Sequence, residues 1–263
     1  VLSTDLLFFY RQVSHQVLTV VDVETTGYHP NSSRVIEISV LQATLESGIH
    51  HQQTHLINPQ VPVPDSITRF TGISQDMVDH APFAQDIWQD YLPLLTTGTL
   101  TAHNLAFDYG FLQSEFDHLG IGFTRSPTKQ LCTVILARLL LPDLPSRSLP
   151  NLVQHFNFPI ATSHRAEADT LACWLLAKLL LTEIQNESDE TLLDRFAQQW
   201  LSLRDAAAVL GVSTQQARVS LKRANVQPRL VGQYRTPQYQ RGDVERLFHE
   251  NQSSHQLSLL QDF

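Results

Sequence analysis

Long apolar runs are missing from this chain of 263 residues. Its opening segment contains Leu6-Leu7-Phe8-Phe9, which is too short for the apolar region of a signal peptide and has no basic segment before it. Nothing reaches the roughly 18 apolar residues that a spanning helix needs. Cysteine is scarce: Cys132 and Cys173 are the two, so neither a disulfide framework nor a C-x-x-C zinc pattern is available. A cytoplasmic protein with no membrane partner is the expectation. Hydrophobic residues at 42% and charged ones at 17% describe an ordinary globular protein, and the length allows one large domain or a large and a small one.

The net charge of −8 at first argues against a nucleic-acid partner, since phosphates call for Lys and Arg. Dividing the chain changes that. Residues 1–185 carry 9 basic and 17 acidic side chains, whereas 186–263 carry 9 of each. Within the latter, 200–241 holds Arg204, Arg218, Lys222, Arg223, Arg229, Arg235 and Arg241 against Asp205 alone. An acidic body joined to a basic module is implied, with the boundary at the polar stretch Asn186-Glu187-Ser188-Asp189-Glu190.

In the body, the β-branched run in 16–24 predicts a buried strand, and 35–45 and 50–57 predict two more around a turn at Ser47-Gly48. Residues 58–81 read as loop. Helices are expected over 84–95, 108–119, 133–141, 149–156 and 166–181, with a short strand at 99–102. Strands first and helices afterwards, around one sheet, indicate an α/β or α+β domain.

Three segments carry chemistry. Asp22 and Glu24 alternate along the first strand, so they share a face about 7 Å apart along the chain. Two carboxylates on a buried strand are costly unless a cation compensates them, and carboxylate oxygens suit Mg²⁺ or Mn²⁺. The plain alternative is a strand end surfacing into water. In the second, Ala102–Asp108, Asp108 falls near a helix N-terminus, where an acid is favoured whether or not it has a further role. In the third, Asp169 opens the last helix of the body and His164 precedes it by five residues, a residue type suited to moving a proton. His50, His51, His55, His80, His118, His155, His249 and His255 read as surface or packing residues.

Taken together, D-x-E-T-T-G at 22–27, H-N-x-x-F-D at 103–108 and H-R-A-x-x-D at 164–169 resemble the three motifs of the DEDDh 3′→5′ exonucleases, in order and at the usual separations. The resemblance spans about residues 15–183. Asn58-Pro59, Thr71-Gly72-Ile73-Ser74 and Leu149-Pro150-Asn151-Leu152 agree with it; Leu131-Cys132-Thr133 departs from it outside the catalytic set. It implies a ribonuclease H-like mixed sheet flanked by helices. It also implies two divalent cations, Mg²⁺ or Mn²⁺, held by Asp22, Glu24, Asp108 and Asp169, with His164 as general base. Thr25 would contact the terminal 3′-hydroxyl, and Phe107 would lie near the terminal nucleotide. DNA is the favoured substrate, in proofreading or repair with a polymerase or repair partner. RNA trimming of the RNase T or oligoribonuclease kind is the alternative, as is a binding or regulatory protein with an accessory exonuclease fold.

Residues 201–213 resemble the first helix and turn of a helix-turn-helix, with Gly211 at the turn and Ser213 capping a second helix over 214–224. Residues 231–237 read as a wing and 243–248 as a closing helix, so 200–249 resembles excisionase-like or MerR-like winged modules. Gln215, Gln216, Arg218, Lys222, Arg223 and Arg235 are the candidate DNA contacts; a helical interaction or dimerisation module is the alternative. The expected organisation is a body over 1–185, a linker or connecting helix over 186–199, the module over 200–249 and a tail over 250–263.

Overall fold

The structure, a computed structural model, describes residues 1–160 and 164–261, with side chains described as far as residue 253. His255 and the last two residues of the expected tail therefore lie outside the described side chains and residues. The chain forms two compact units, one of residues 11–137 and 144–185, the other of 1–10, 138–143 and 186–263.

Helix α1 (Ser3–Val13) comes first, in a stretch not anticipated as helical; Leu7, Tyr10 and Val13 recur at a helical period and are buried. The meander follows as expected: β1 (Leu18–Thr25) pairs antiparallel with β2 (Val35–Thr44), and β2 with β3 (Gly48–Leu56). β2 is buried along nearly its whole length, whereas β3 closes the sheet as a more exposed edge. The segment read as loop contains two short helices, α2 (Asp65–Thr71) and α3 (Gln75–Asp79). One of its prolines and its glycine mark helix ends: Pro64 precedes α2, and Gly72 ends it at φ 75°. Ser74 caps α3 by accepting from the Met77 N–H.

After α4 (Ala84–Thr96), Gly98 turns the chain at φ 58° into β4 (Thr99–Ala102), and a Cβ there would run into the Val17 carbonyl oxygen. Then come α5 (Leu105–His118), β5 (Gln130–Cys132), α6 (Thr133–Leu140), α7 (Leu149–His155) and α8 (Ala166–Asn186). β4 and β5 add parallel to β1, which needs crossover connections rather than hairpins. The sheet order is β3-β2-β1-β4-β5, the expected mixed sheet with helices. Val21, Ile38, Trp88, Leu100, Phe111 and Phe116 belong to one buried hydrophobic cluster. Cys132 and Cys173 are free thiols.

The second unit contains α9 (Asp189–Ala197), β6 (Trp200–Ser202), α10 (Leu203–Leu210), α11 (Thr214–Arg223), β7 (Arg229–Val231), β8 (Thr236–Gln240) and α12 (Arg241–Gln261). Ser202 caps α10, Gly211 ends it at φ 70°, and Ser213 with Gln216 forms a capping box on α11. β6, β8 and β7 make a small antiparallel sheet in that order. Leu201, Ala206, Leu210, Ala217, Leu221, Tyr239 and Val244 fill the core. Arg241, counted above among the basic residues, is an internal strut: Nε donates to Gln199 Oε1 at 2.8 Å and Nη1 to Glu245 Oε1 at 3.1 Å. Among the described residues, no helix is long and apolar enough to cross a membrane.

Candidate active site

β1 carries Asp22 and Glu24 to the open end of the sheet, on the face shared with alternate residues of β2. In the ladder Asp22 lies opposite Ser39 and Glu24 opposite Glu37, and the regular register breaks between Glu24 and Thr25. α8 brings Asp169 to the same place from its first turn. Oxygens of Asp22, Glu24 and Asp169 all lie within 4.8 Å of one another. Asp108 reaches the strand from the first turn of α5; it is buried, and its Oδ1 accepts from the Val23 N–H at 3.2 Å.

The electrostatics of this group are those of crowded, buried acids, which Arg165 and His164 offset in part. Burial holds Asp22 well above the usual carboxylate range, with the charges of Asp108, Asp169 and Glu24 adding to the shift. Glu24 is pushed up to about 8, by burial first and then by Asp169 and Glu37, against the pull of Arg165. Asp108 is also pushed up to about 8 by burial, although backbone N–H bonds, including that from Val23, favour its charged form. Asp169 is raised by burial, against the N–H bond and the charge of His164. Carboxylates that repel one another at this spacing form a donor set for a hard divalent cation, which would reverse the penalty.

His164 stands at the rim of the cluster. Its backbone has φ 65°, a left-handed conformation, and its N–H donates to Asp169 Oδ2 at 3.1 Å. Its ring lies against Phe70 of α2, centroids 4.1 Å apart, and Phe70 is itself 57% exposed. Thr25 is buried, and its hydroxyl donates to the Gly27 carbonyl at 2.7 Å. Phe107 is half-buried against Phe111. His103, within the second motif, is structural: its two ring nitrogens bond Thr133 Oγ1 and the Arg147 carbonyl, each at 2.9 Å. His55, among the packing histidines, bonds the Tyr91 hydroxyl at 2.9 Å.

Two residues of the arrangement escaped the sequence reading. Glu37, buried on β2, accepts from Arg165 Nη2 at 2.5 Å and from Arg165 Nε, and also from the Ala166 N–H at 2.9 Å. It thus grips both the turn that bears His164 and the N-terminus of α8, where an anion is favoured. A parallel brace holds α5: Glu115, also buried, accepts from Arg34 Nε and Nη2 and from the Val35 N–H. For Glu37 a signal existed, the one acid in the strand β2; Glu115 is one of three acids in α5, and no sequence feature set it apart. Neither could be given a partner without the fold.

With this geometry in hand, similarity to known proteins becomes informative. The model of the exonuclease family matches residues 19–177, more than half of the chain. The chain belongs to that family. The exonuclease is 30% identical over 177 residues to the "DNA polymerase III PolC-type" of Bacillus cereus, a match covering 67% of this chain and 12% of the polymerase. It is 30% identical over 166 residues to the "3'-5' exonuclease DinG" of Staphylococcus haemolyticus, covering 62% of this chain and 18% of that one. The chain thus spans about an eighth to a fifth of the length of these relatives. In fold it is similar to Escherichia coli Exonuclease I bound to a dT13 oligonucleotide, with a TM-score of 0.58 at 18% identity over 63% of this chain and 41% of the other. It is also similar to the nuclease domain of 3'hExo, a DEDDh family member, with a TM-score of 0.55 at 16% identity over 64% of this chain and 92% of that domain.

Proposed function

We propose that this exonuclease releases nucleoside 5′-monophosphates one at a time from the 3′ end of DNA. The observation that carries the reading is the convergence of acids from separate segments, three with oxygens within 4.8 Å of one another, beside a histidine bonded through its backbone to one of them. Asp22, Glu24, Asp108 and Asp169 would hold two divalent cations, Mg²⁺ or Mn²⁺. When bound there, such ions supply Lewis acidity toward the phosphate and charge for the leaving oxygen.

The chain's own residues supply positioning and proton transfer. His164 accepts the proton of the water that attacks phosphorus. The bond from phosphorus to the 3′ oxygen of the preceding nucleotide breaks, and the terminal nucleotide departs with its 5′-phosphate. The Thr25 hydroxyl donates its hydrogen bond to the Gly27 carbonyl, so its oxygen is left to accept from the terminal 3′-hydroxyl. Phe107, packed against Phe111, would lie near the terminal nucleotide.

DNA is preferred to RNA because of the similarity to a DNA polymerase, and a role in proofreading or repair beside a polymerase or repair partner follows from the same likeness. One comparison tests the whole reading. Single-stranded DNA, duplex DNA and short RNA, each labelled to follow the 3′ end, are incubated with Mg²⁺ and with EDTA. Mononucleotide release from DNA that EDTA abolishes is expected; release from RNA alone, or none from any strand, would overturn it.

A further inference from the structure

Thr25 lies where the ladder between β1 and β2 loses its regular register, and it faces Val35. Its hydroxyl is aimed by the Gly27 carbonyl at 2.7 Å, so the direction left for its oxygen depends on the start of the connection 26–34. Two bonds close the neck of that connection. The Thr26 N–H donates to the Arg34 carbonyl, and the Arg34 N–H donates to Thr26 Oγ1, each at 2.9 Å. Helix α5 grips the same neck. Glu115 is 2% exposed and accepts three bonds from two consecutive residues. Its Oε1 accepts from Arg34 Nε and from the Val35 N–H, each at 2.9 Å, and its Oε2 from Arg34 Nη2 at 2.8 Å. Further along the connection, the Ser114 hydroxyl donates to the Pro30 carbonyl at 2.9 Å. Pro30 also packs close to α5, since a Cβ on Gly110 would come within 3.3 Å of its ring.

A buried carboxylate paired in this way is weak evidence of stability, because a well-packed apolar pair often serves as well. Three directed bonds add something else, a fixed geometry. We infer that Glu115 is a positioning residue for recognition of the 3′ end. Through Val35, the ladder partner of Thr25, and through Arg34 at the neck, it sets where Thr25 and the Gly27 carbonyl stand. It thereby sets the direction from which the Thr25 oxygen meets a terminal 3′-hydroxyl. Asp108 lies about two turns earlier on the same helix, so one rod holds both an acid of the metal group and the support of the strand-end contact. The favoured substrate is then a strand with a free 3′-hydroxyl, presented at a set distance from the acids. This positioning rests on the proposed contact between Thr25 and the 3′-hydroxyl, and adds what fixes that contact.

The test compares two 5′-labelled DNA strands that differ only at the terminal sugar, one ending in a 3′-hydroxyl and the other in a 3′-deoxy terminus. Release of the first nucleotide is followed with Mg²⁺ at subsaturating strand, which reads kcat/KM. The parent should prefer the hydroxyl strand by roughly 3–10-fold, the worth of one neutral hydrogen bond. Glu115→Gln sets an NH₂ group against at least one of the three donors, and the preference should fall below about 2-fold. Arg34→Lys keeps the charge and loses the fork, and it should lower the preference in the same direction. Thermal melting confirms that each variant is folded. A brace that merely held α5 in place would slow both strands alike and leave the preference intact. In a Thr25→Val background, which lacks the hydroxyl, Glu115→Gln should change the preference no further. An unchanged preference in the folded variants would overturn the inference while leaving the Thr25 contact standing. A parent indifferent to the 3′-hydroxyl would overturn the Thr25 contact, and the inference with it.

Discussion

The backbone N–H of His164 donates to Asp169 Oδ2 at 3.1 Å, and the histidine adopts φ 65° in doing so. A residue proposed to move a proton and one proposed to hold metal are therefore one mechanical piece. The two are separable by substitution. His164→Ala should lower turnover by roughly 10²–10⁴-fold while leaving Mn²⁺ binding, followed by paramagnetic resonance, close to that of the parent. Asp22→Ala should lose both Mn²⁺ binding and release of labelled mononucleotide. Activity retained by Asp22→Ala would remove the metal assignment.

Glu37 gives a sharper test of the scaffold. Its carboxylate is buried and bonded to Arg165 and to the Ala166 N–H, and Arg165 is 41% exposed. Glu37→Gln keeps one acceptor and loses the ion pair. With the exposed arginine discounted for solvent, we expect a loss of about 1–3 kcal/mol in denaturant unfolding. Turnover should fall by more than KM changes, because the turn bearing His164 and Asp169 loses its hold. A variant with parental turnover would show that α8 is positioned without this brace.

The raised carboxylates set a pH dependence of stability. Glu24 and Asp108 are pushed up to about 8 in the folded protein, above their ordinary values of 4.5 and 3.8. The folded state then holds protons that the unfolded state has already released. In the absence of metal, stability should fall as pH rises from about 4 through 8, and the full penalty should be present above 8. Scanning calorimetry in EDTA should show Tm declining across that window. Adding Mn²⁺ should raise Tm more at pH 8 than at pH 5. A flat profile in EDTA would contradict the crowding of charge described above.

Phe70 touches the His164 ring but is largely in solvent, so it should matter little for folding. Phe70→Ala should cost under about 0.5 kcal/mol of stability. If the stacking is worth roughly 0.5–1.5 kcal/mol to the active orientation of the imidazole, turnover should drop about 2–10-fold. Phe70→Tyr should restore it. Failure of tyrosine to restore what alanine loses would argue that the ring does not orient His164.

How much of this was legible beforehand depended on the range of the forces involved. Asp22 and Glu24 declared themselves through strand alternation. Asp108 and Asp169 did so by opening helices with clear apolar stripes. The meander and the helices from 84 onward followed from periodicity. The short helices α2 and α3 did not, because Pro64 and Gly72, which bound α2, mark helix ends as readily as loops, and Phe70 was hidden with them. Glu37 and Glu115 stayed illegible for a different reason. Each is paired with an arginine far away in sequence, and only the folded sheet brings the two together. Gln216 spends its side-chain oxygen on the Ser213 cap, a local competition that the residue type alone does not reveal.

The register break between Glu24 and Thr25 has a consequence for anyone wishing to move this chemistry elsewhere. Had the ladder with β2 run on unbroken, Thr25 would have paired with Ile36; instead it faces Val35, and Ile36 is the extra residue, on β2. Copying the two acids onto a regular strand of another scaffold would reproduce their spacing and miss the register shift that follows them. A successful transplant would carry the irregularity with the carboxylates, together with the strand against which it is measured.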